Sequence, residues 1–165
     1  MAALTAGTSA PGISLPILNG GNFSLQDALK RGPVLAAFFK VSCPVCQYTF
    51  PYLQRLHKAY GDRKITIIGV SQNDRQETSA FVKEFGVTFP VVLDDPKAYE
   101  VSNAYGLTNV PTMFLIDQDG EIEISSVGWV KNELEDINRR LSNTQKTPLA
   151  PLFKPQEDVA DFRAG

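Results

Sequence analysis

Hydrophobic positions follow two patterns along this chain. Val34-Leu35-Ala36-Ala37-Phe38-Phe39, Ile65 to Val70 and Phe89 to Leu93 are apolar without alternation. The first reads as a central strand covered on both faces, the second as another buried strand and the last as a short third strand. Leu107 to Asp117 reads as a further strand with Pro111 at its entrance. Gln118-Asp119-Gly120 is a turn, and Glu121 to Val127 returns as an antiparallel partner. Elsewhere the spacing lengthens to three and four. Cys46, Phe50, Leu53 and Leu56 stripe a helix over Gln47 to Tyr60, which Pro51 should kink and Gly61-Asp62 should close. Asp74 and Glu77 form a capping box for a helix to Phe85, ended by Gly86. Asp95, Pro96 and Gly106 delimit another helix. Asn132 and Glu135 open the last one, with Leu134, Ile137 and Leu141 as its apolar stripe.

The flanks are less regular. Ile13 to Leu18 reads as a short edge strand broken by Pro16, and Asn19 to Asn22 as a turn. Ser24 caps a short helix through Lys30. Asn143 to Gly165 holds Pro148, Pro151 and Pro155 and little periodicity. The chain therefore divides into a domain over 1–142 and a proline-containing C-terminal tail over 143–165. The tail is either flexible or docked through Leu149, Leu152 and Phe153 on the domain or on a second subunit. Two buried strands joined by a helix predict a parallel right-handed βαβ unit. The class is α/β, with a central mixed sheet flanked by helices.

Composition narrows the function. With 165 residues, 43% hydrophobic and 21% charged, the chain is one globular domain. A formal charge of −2, from 16 basic and 18 acidic residues, points to neither nucleic acid nor an anionic membrane. No run approaches the roughly 18 apolar residues of a membrane span. Met1 to Ala10 lacks a basic and then an apolar stretch, so no signal peptide is expected. The expected location is the cytoplasm, or an exported setting if a leader has been removed. No Gly-rich phosphate loop appears, so no nucleotide cofactor is implied.

The only two cysteines, Cys43 and Cys46, sit where a strand ends and a helix begins. The first turn of a helix offers unpaired N–H groups and the positive end of its dipole, both favourable to an anionic sulfur. With Ser42 as N-cap, Cys43 falls in the first turn. Cys46 lies nearly one turn on, on the same face and more buried. Lys40 adds positive charge if it points the same way. Pro44 offers no N–H to a thiolate. This arrangement suits attack by Cys43 on a disulfide and resolution by Cys46. Two cysteines and one distant histidine, His57, cannot complete a structural zinc site. Pro111 at a strand entrance loses a ladder hydrogen bond, which a cis Val110–Pro111 bond would explain. The Val110 backbone would then be free to pair with a substrate segment.

Phe38-Phe39, Cys43-Pro44-x-Cys46, Pro51, and Val110-Pro111-Thr112 before Phe114 to Asp117 together resemble the thioredoxin-like superfamily. More specifically, the chain looks like its TlpA-like, redoxin (AhpC-TSA-related) thiol–disulfide oxidoreductases. Ala10 to Pro16 resembles that branch's lead-in, and Phe89 to Gly106 its βα insertion. The resemblance implies a thioredoxin fold, Cys43 as nucleophile, Cys46 as resolving thiol and Pro111 as cis proline. It places Val110, Pro111, Pro44 and Val45 at the substrate, with a protein disulfide and a dithiol electron donor as partners and no cofactor or metal. Three departures stand out. Ser42 replaces the usual Trp, Ala37 the buried Asp of thioredoxins, and Thr49 the Glu common in TlpA-like proteins. Neither usual carboxylate is there to take the Cys46 proton.

Two other functions compete. A thiol peroxidase needs Pro and Thr or Ser seven and three residues before its cysteine. Those positions hold Ala36 and Lys40 before Cys43, or Phe39 and Cys43 before Cys46. A non-enzymatic Cu(I) or redox-regulatory module would use the cysteine pair with further ligands from His57 or a partner. Trp129 and the tyrosines read as packing residues.

Overall fold

An antiparallel hairpin, β1 (Ser14–Pro16) and β2 (Asn22–Ser24), precedes the main sheet in the computed structural model, which describes residues 2–61 and 64–165. Ser24 then caps α1 (Leu25–Leu29), its hydroxyl accepting from the Asp27 N–H. The main sheet contains β3 (Val34–Phe39), β4 (Thr66–Ser71), β5 (Val91–Leu93), β6 (Thr112–Ile116) and β7 (Ile122–Val127). Its order is β5-β4-β3-β6-β7. β3 runs parallel to β4 and antiparallel to β6, so the sheet is mixed, as the sequence indicates.

The missing alternation in β3 has a direct cause. Leu35, Ala37 and Phe39 pack on one face with Cys46, Phe50 and Leu53 of α2 (Pro44–Tyr60). Val34, Ala36 and Phe38 pack on the other with Ile13, Leu25 and Tyr105. Both faces are dry, so no position on the strand calls for a polar side chain. Gly69 on β4 lets this packing close. A Cβ there would meet Phe39 at 3.2 Å and Phe50 at 3.3 Å.

α3 (Arg75–Glu84) is capped by Asp74 as expected. Three helix starts differ from expectation. α2 begins at Pro44 and its N-cap is Cys43, not Ser42. Pro44 suits the first helical position because its missing N–H would be unpaired there anyway. The helix that Asp95 was to open is shorter, α4 (Glu100–Ala104). Asp95 caps only a turn, its carboxylate accepting from the Lys97 N–H, while buried Asp94 accepts from the first-turn N–H groups of Val101 and Ser102. Asn132 lies inside α5 (Lys131–Gln145) rather than at its head. The chain leaves β8 (Trp129–Val130) extended, and the Lys131 N–H finds the Asp161 carbonyl. Asp62, half of the expected stop for α2, lies outside the described residues. Gly61 is its C-cap.

The segment after α5 lies against the domain. Leu152 is buried and Leu149 is exposed. The Arg55 guanidinium on α2 donates to the Leu152 carbonyl at 2.7 Å and grips both Glu157 oxygens at 2.8 and 2.7 Å. The Trp129 indole N–H donates to the Ala160 carbonyl, and the Ala160 N–H to the Tyr48 hydroxyl. β9 (Phe162–Arg163) then pairs antiparallel with β8. Burying Leu152 contributes about 2 kcal/mol to this docking.

Candidate active site

β3 delivers the chain to the head of α2 through Lys40, Val41 and Ser42. That connection is held on both sides. The Val41 N–H donates to the Asn73 side chain and the Val41 carbonyl accepts from the Gln47 amide, each at 2.9 Å. Cys43 then stands where a capping serine or aspartate would stand. Its Sγ accepts from the Cys46 N–H at 3.1 Å. Sulfur takes the place of the capping oxygen, and a first-turn N–H points directly at it. Ser42, the expected cap, is exposed and makes no capping bond.

Both cysteines are free thiols. Cys43 is half-buried, whereas Cys46 is sealed at 0% exposure beneath it. Burial, and then the hydrogen bond with Cys43, push the Cys46 thiol well above the usual range. One sulfur is therefore reachable and faces an N–H; the other is hidden and held protonated.

The Val110–Pro111 peptide is cis. The Cys43 thiol donates to the Val110 carbonyl at 3.4 Å, so that backbone group is engaged rather than free. Pro111 is buried behind it, its carbonyl accepting from the Gly128 N–H at 2.8 Å. Pro44 is exposed beside Cys43, while Val45 is half-buried against the core. The structure thus brings Cys43, Pro44 and Val110 together at one surface, with Cys46 buried beneath. It sets Val45 and Pro111 at that surface's margin.

A cleft of about 470 Å³ opens from Cys43, with Lys40 and Pro44 on one side and Asn109, Val110 and Gly165 on another. Its far wall comes from the expected insertion: Tyr99, Ser102 and Asn103. Lys40 reaches across it, with its ammonium 6.0 Å from the Tyr99 ring centre. Below the wall runs a polar chain. The Gln72 amide donates to the Ser102 hydroxyl at 2.9 Å, and that hydroxyl to Asp94 at 2.8 Å. Reading the sequence did not single out Tyr99, Gln72, Asn103 or Gly165. The usable signal was the Asp94-Asp95 doublet, of which the first member is fully buried.

The positions of the usual carboxylates are both buried and uncharged. Ala37 packs in the same core as Cys46, and the Thr49 hydroxyl donates to the Val45 carbonyl at 2.7 Å. Trp129 is fully buried, a packing residue with its N–H satisfied. Among the described residues, no three His, Cys, Asp or Glu side chains gather where they could hold a metal ion, and no helix is long and apolar enough to cross a membrane.

Known proteins resemble this chain over most of its length. Residues 6–125 match the AhpC/TSA family. The thiol-disulfide oxidoreductase ResA of Geobacillus kaustophilus is 32% identical over 142 residues, covering 86% of this chain and 79% of that one. The thioredoxin domain of a thiol-disulfide oxidoreductase from Bacteroides vulgatus is 26% identical with a TM-score of 0.74, covering 84% of this chain and 98% of that one. A thiol:disulfide interchange protein from a Bacteroides species gives 27% and 0.73, with coverages of 85% and 91%. Family, relatives and fold agree with the geometry of the cysteine pair: the chain belongs to the AhpC/TSA family and is a thiol–disulfide oxidoreductase of its TlpA-like branch.

Proposed function

We propose that Cys43 is the nucleophile and Cys46 the resolving thiol in exchange with protein disulfides, the substrate resting on Pro44, Val45, Val110 and Pro111. The Cys43 thiolate attacks one sulfur of the substrate disulfide. The Cys43–substrate bond forms, the substrate bond breaks, and the departing sulfur takes up a proton. Cys46 then loses its proton and attacks Cys43. The Cys43–Cys46 disulfide forms and the second substrate thiol leaves. Two electrons and two protons pass to the substrate, and a dithiol donor returns them.

The observation that carries this reading is the asymmetry of the pair. Cys43 is half-exposed with the Cys46 N–H on its sulfur, and Cys46 is sealed below. A peroxidase reading finds no comparable support. Three residues before Cys43 stands Lys40, which leans over Tyr99, in place of a peroxide-polarising hydroxyl. We place the reaction in a reducing cytoplasm, because two cysteines are too few to staple a secreted fold and both are committed here to chemistry. Cell fractionation tests that location. The roles are tested by incubating Cys43→Ser and Cys46→Ser variants with a disulfide-bonded protein. Cys46→Ser should accumulate a mixed disulfide through Cys43, and Cys43→Ser should form none. Exchange surviving in Cys43→Ser would overturn the assignment.

A further inference from the structure

The segment that follows α5 does more than cover apolar surface. It ends against the residue on which a substrate would pair. A Cβ added to Gly165 would lie 2.5 Å from the Val110 carbonyl oxygen, so the Gly165 backbone is packed directly on that group. The Asn109 amide donates to the Gly165 carbonyl at 3.2 Å, and Gly165 lines the cleft with Cys43.

The anchors behind it are firm. β9 pairs with β8, the Arg163 guanidinium stacks 4.6 Å from the Tyr48 ring centre, and Ala160 is tied to both Tyr48 and Trp129. Arg55 holds Glu157 through two short hydrogen bonds. Tyr48 and Arg55 belong to α2, the helix that Cys43 caps. The segment therefore bridges the cysteine helix and the Val110 loop, the two halves of the site.

An extended chain added beside Val110 needs both the N–H and the C=O of that residue. The carbonyl already accepts from Cys43 and is covered by Gly165. The opposite side, toward Lys40, Tyr99 and Asn103, stays open. We propose that Glu157–Gly165 is a specificity wall of the exchange site, admitting disulfides on short or tightly looped peptides through the Lys40 side and turning away disulfides in the middle of extended chains. This rests on the placement of the substrate at Cys43 and Val110 given above. The wall acts by excluding one mode of backbone pairing; it takes no part in sulfur chemistry.

Two probes separate the cases. One is a short cyclic peptide closed by a single Cys–Cys bridge. The other carries the same bridge at the centre of a long, polar, unstructured chain. The intact reduced protein should react faster with the cyclic peptide, and equal rates would overturn the proposal. Removing residues 161–165 should raise the long-chain rate about fivefold, the worth of one recovered hydrogen bond, and leave the cyclic rate within about twofold. A native circular dichroism spectrum with an unchanged rate ratio would also overturn it. Should that variant fail to fold, a full-length Tyr48→Phe/Glu157→Gln/Arg163→Gly variant answers the same question. There, a red shift in the emission of Trp129, the one tryptophan, whose buried indole N–H bonds the Ala160 carbonyl, reports release of the segment, and the rate ratio must shift with it. Reaction of the cyclic peptide with Cys43→Ser would instead sink the site assignment on which the wall depends.

Discussion

Raising the pH should speed the second half of the exchange steadily, with no plateau up to about pH 9. Cys46 is 0% exposed, and burial is the largest influence holding its thiol protonated. The other groups acting on it are Cys43 and backbone. In the mixed disulfide Cys43 no longer carries a proton to share, but the burial remains. Neither Ala37 nor Thr49 supplies a carboxylate, and the Thr49 hydroxyl is spent on Val45. A thiol that titrates above the working range gains thiolate about tenfold per pH unit, so resolution should climb about tenfold per unit from about pH 6 to about pH 9. The assay is a single turnover with a chromogenic aromatic disulfide that releases one coloured thiolate at each step. The first phase reports attack by Cys43 and the second reports resolution. Cys46→Ala should show the first phase alone. A second phase independent of pH, or one reaching a plateau below about pH 8, would mean that a base serves Cys46, and the argument from burial would be wrong.

Three further outcomes follow from other parts of the fold. Arg55 holds the Glu157 carboxyl down at about 2, so its stabilising contribution is complete above the ordinary value of 4.5 and is lost as pH falls toward about 2. Unfolding midpoints of the protein and of Glu157→Gln should differ at neutral pH and converge across that interval. Burial pushes His57 below its ordinary value, and its Nδ1 has no partner among the described residues. The unfolded chain then binds that proton first, so stability should fall as pH drops below about 6.5, and His57→Gln should remove that part of the slope in urea titrations. Gly69→Ala should cost about 1–3 kcal/mol in denaturant unfolding, because its methyl group meets Phe39, Phe50 and Val91 at 3.2–3.4 Å in a packed core. An unchanged midpoint would mean the rings move aside freely.

The sheet was legible because its strands announce themselves locally. Val34–Phe39 needs no partner information to read as a strand covered on both faces, and Asp74 with Glu77 marks a helix start within four residues. Errors arose where one local rule hid another. A serine before a cysteine looks like a cap, yet Pro44 is the stronger signal because it belongs at the first helical position. That single shift turns Cys43 from a first-turn residue into the cap itself. Asp95 before Pro96 misled in the same way, since the helix-capping carboxylate is Asp94, buried and reaching N–H groups seven and eight residues on. The docked segment was hardest to read. Its contacts join Arg55 to Glu157, Tyr48 to Ala160 and Trp129 to Arg163, pairs separated by 34 to 112 residues along the chain, and no short window contains both members.

The cysteine pair and the helix explain one another. With Cys43 as the proposed nucleophile, placing sulfur at the N-cap makes the group that caps α2 the group that reacts. The Cys46 N–H at 3.1 Å supports negative charge on Cys43 while the same turn carries the Cys46 sulfur inward, out of water. On that assignment one turn of helix orders the two half-reactions, because a substrate disulfide meets the half-exposed sulfur and only a bond already made to Cys43 is within reach of the hidden one. Rigidity of that turn matters more than the residue before it. Val41 and Gln47 lock the approach, and the body of α2 is gripped by the aromatic core on one side and by Arg55 and Tyr48 contacts on the other. Ser42, where the resemblance leads one to expect a tryptophan, is exposed and outside this framework. A Ser42→Trp change should therefore alter which substrates bind while leaving the order of attack, Cys43 before Cys46, as it is. Alkylation of Cys46 ahead of Cys43 in that variant would show that residue 42 does take part in holding the turn.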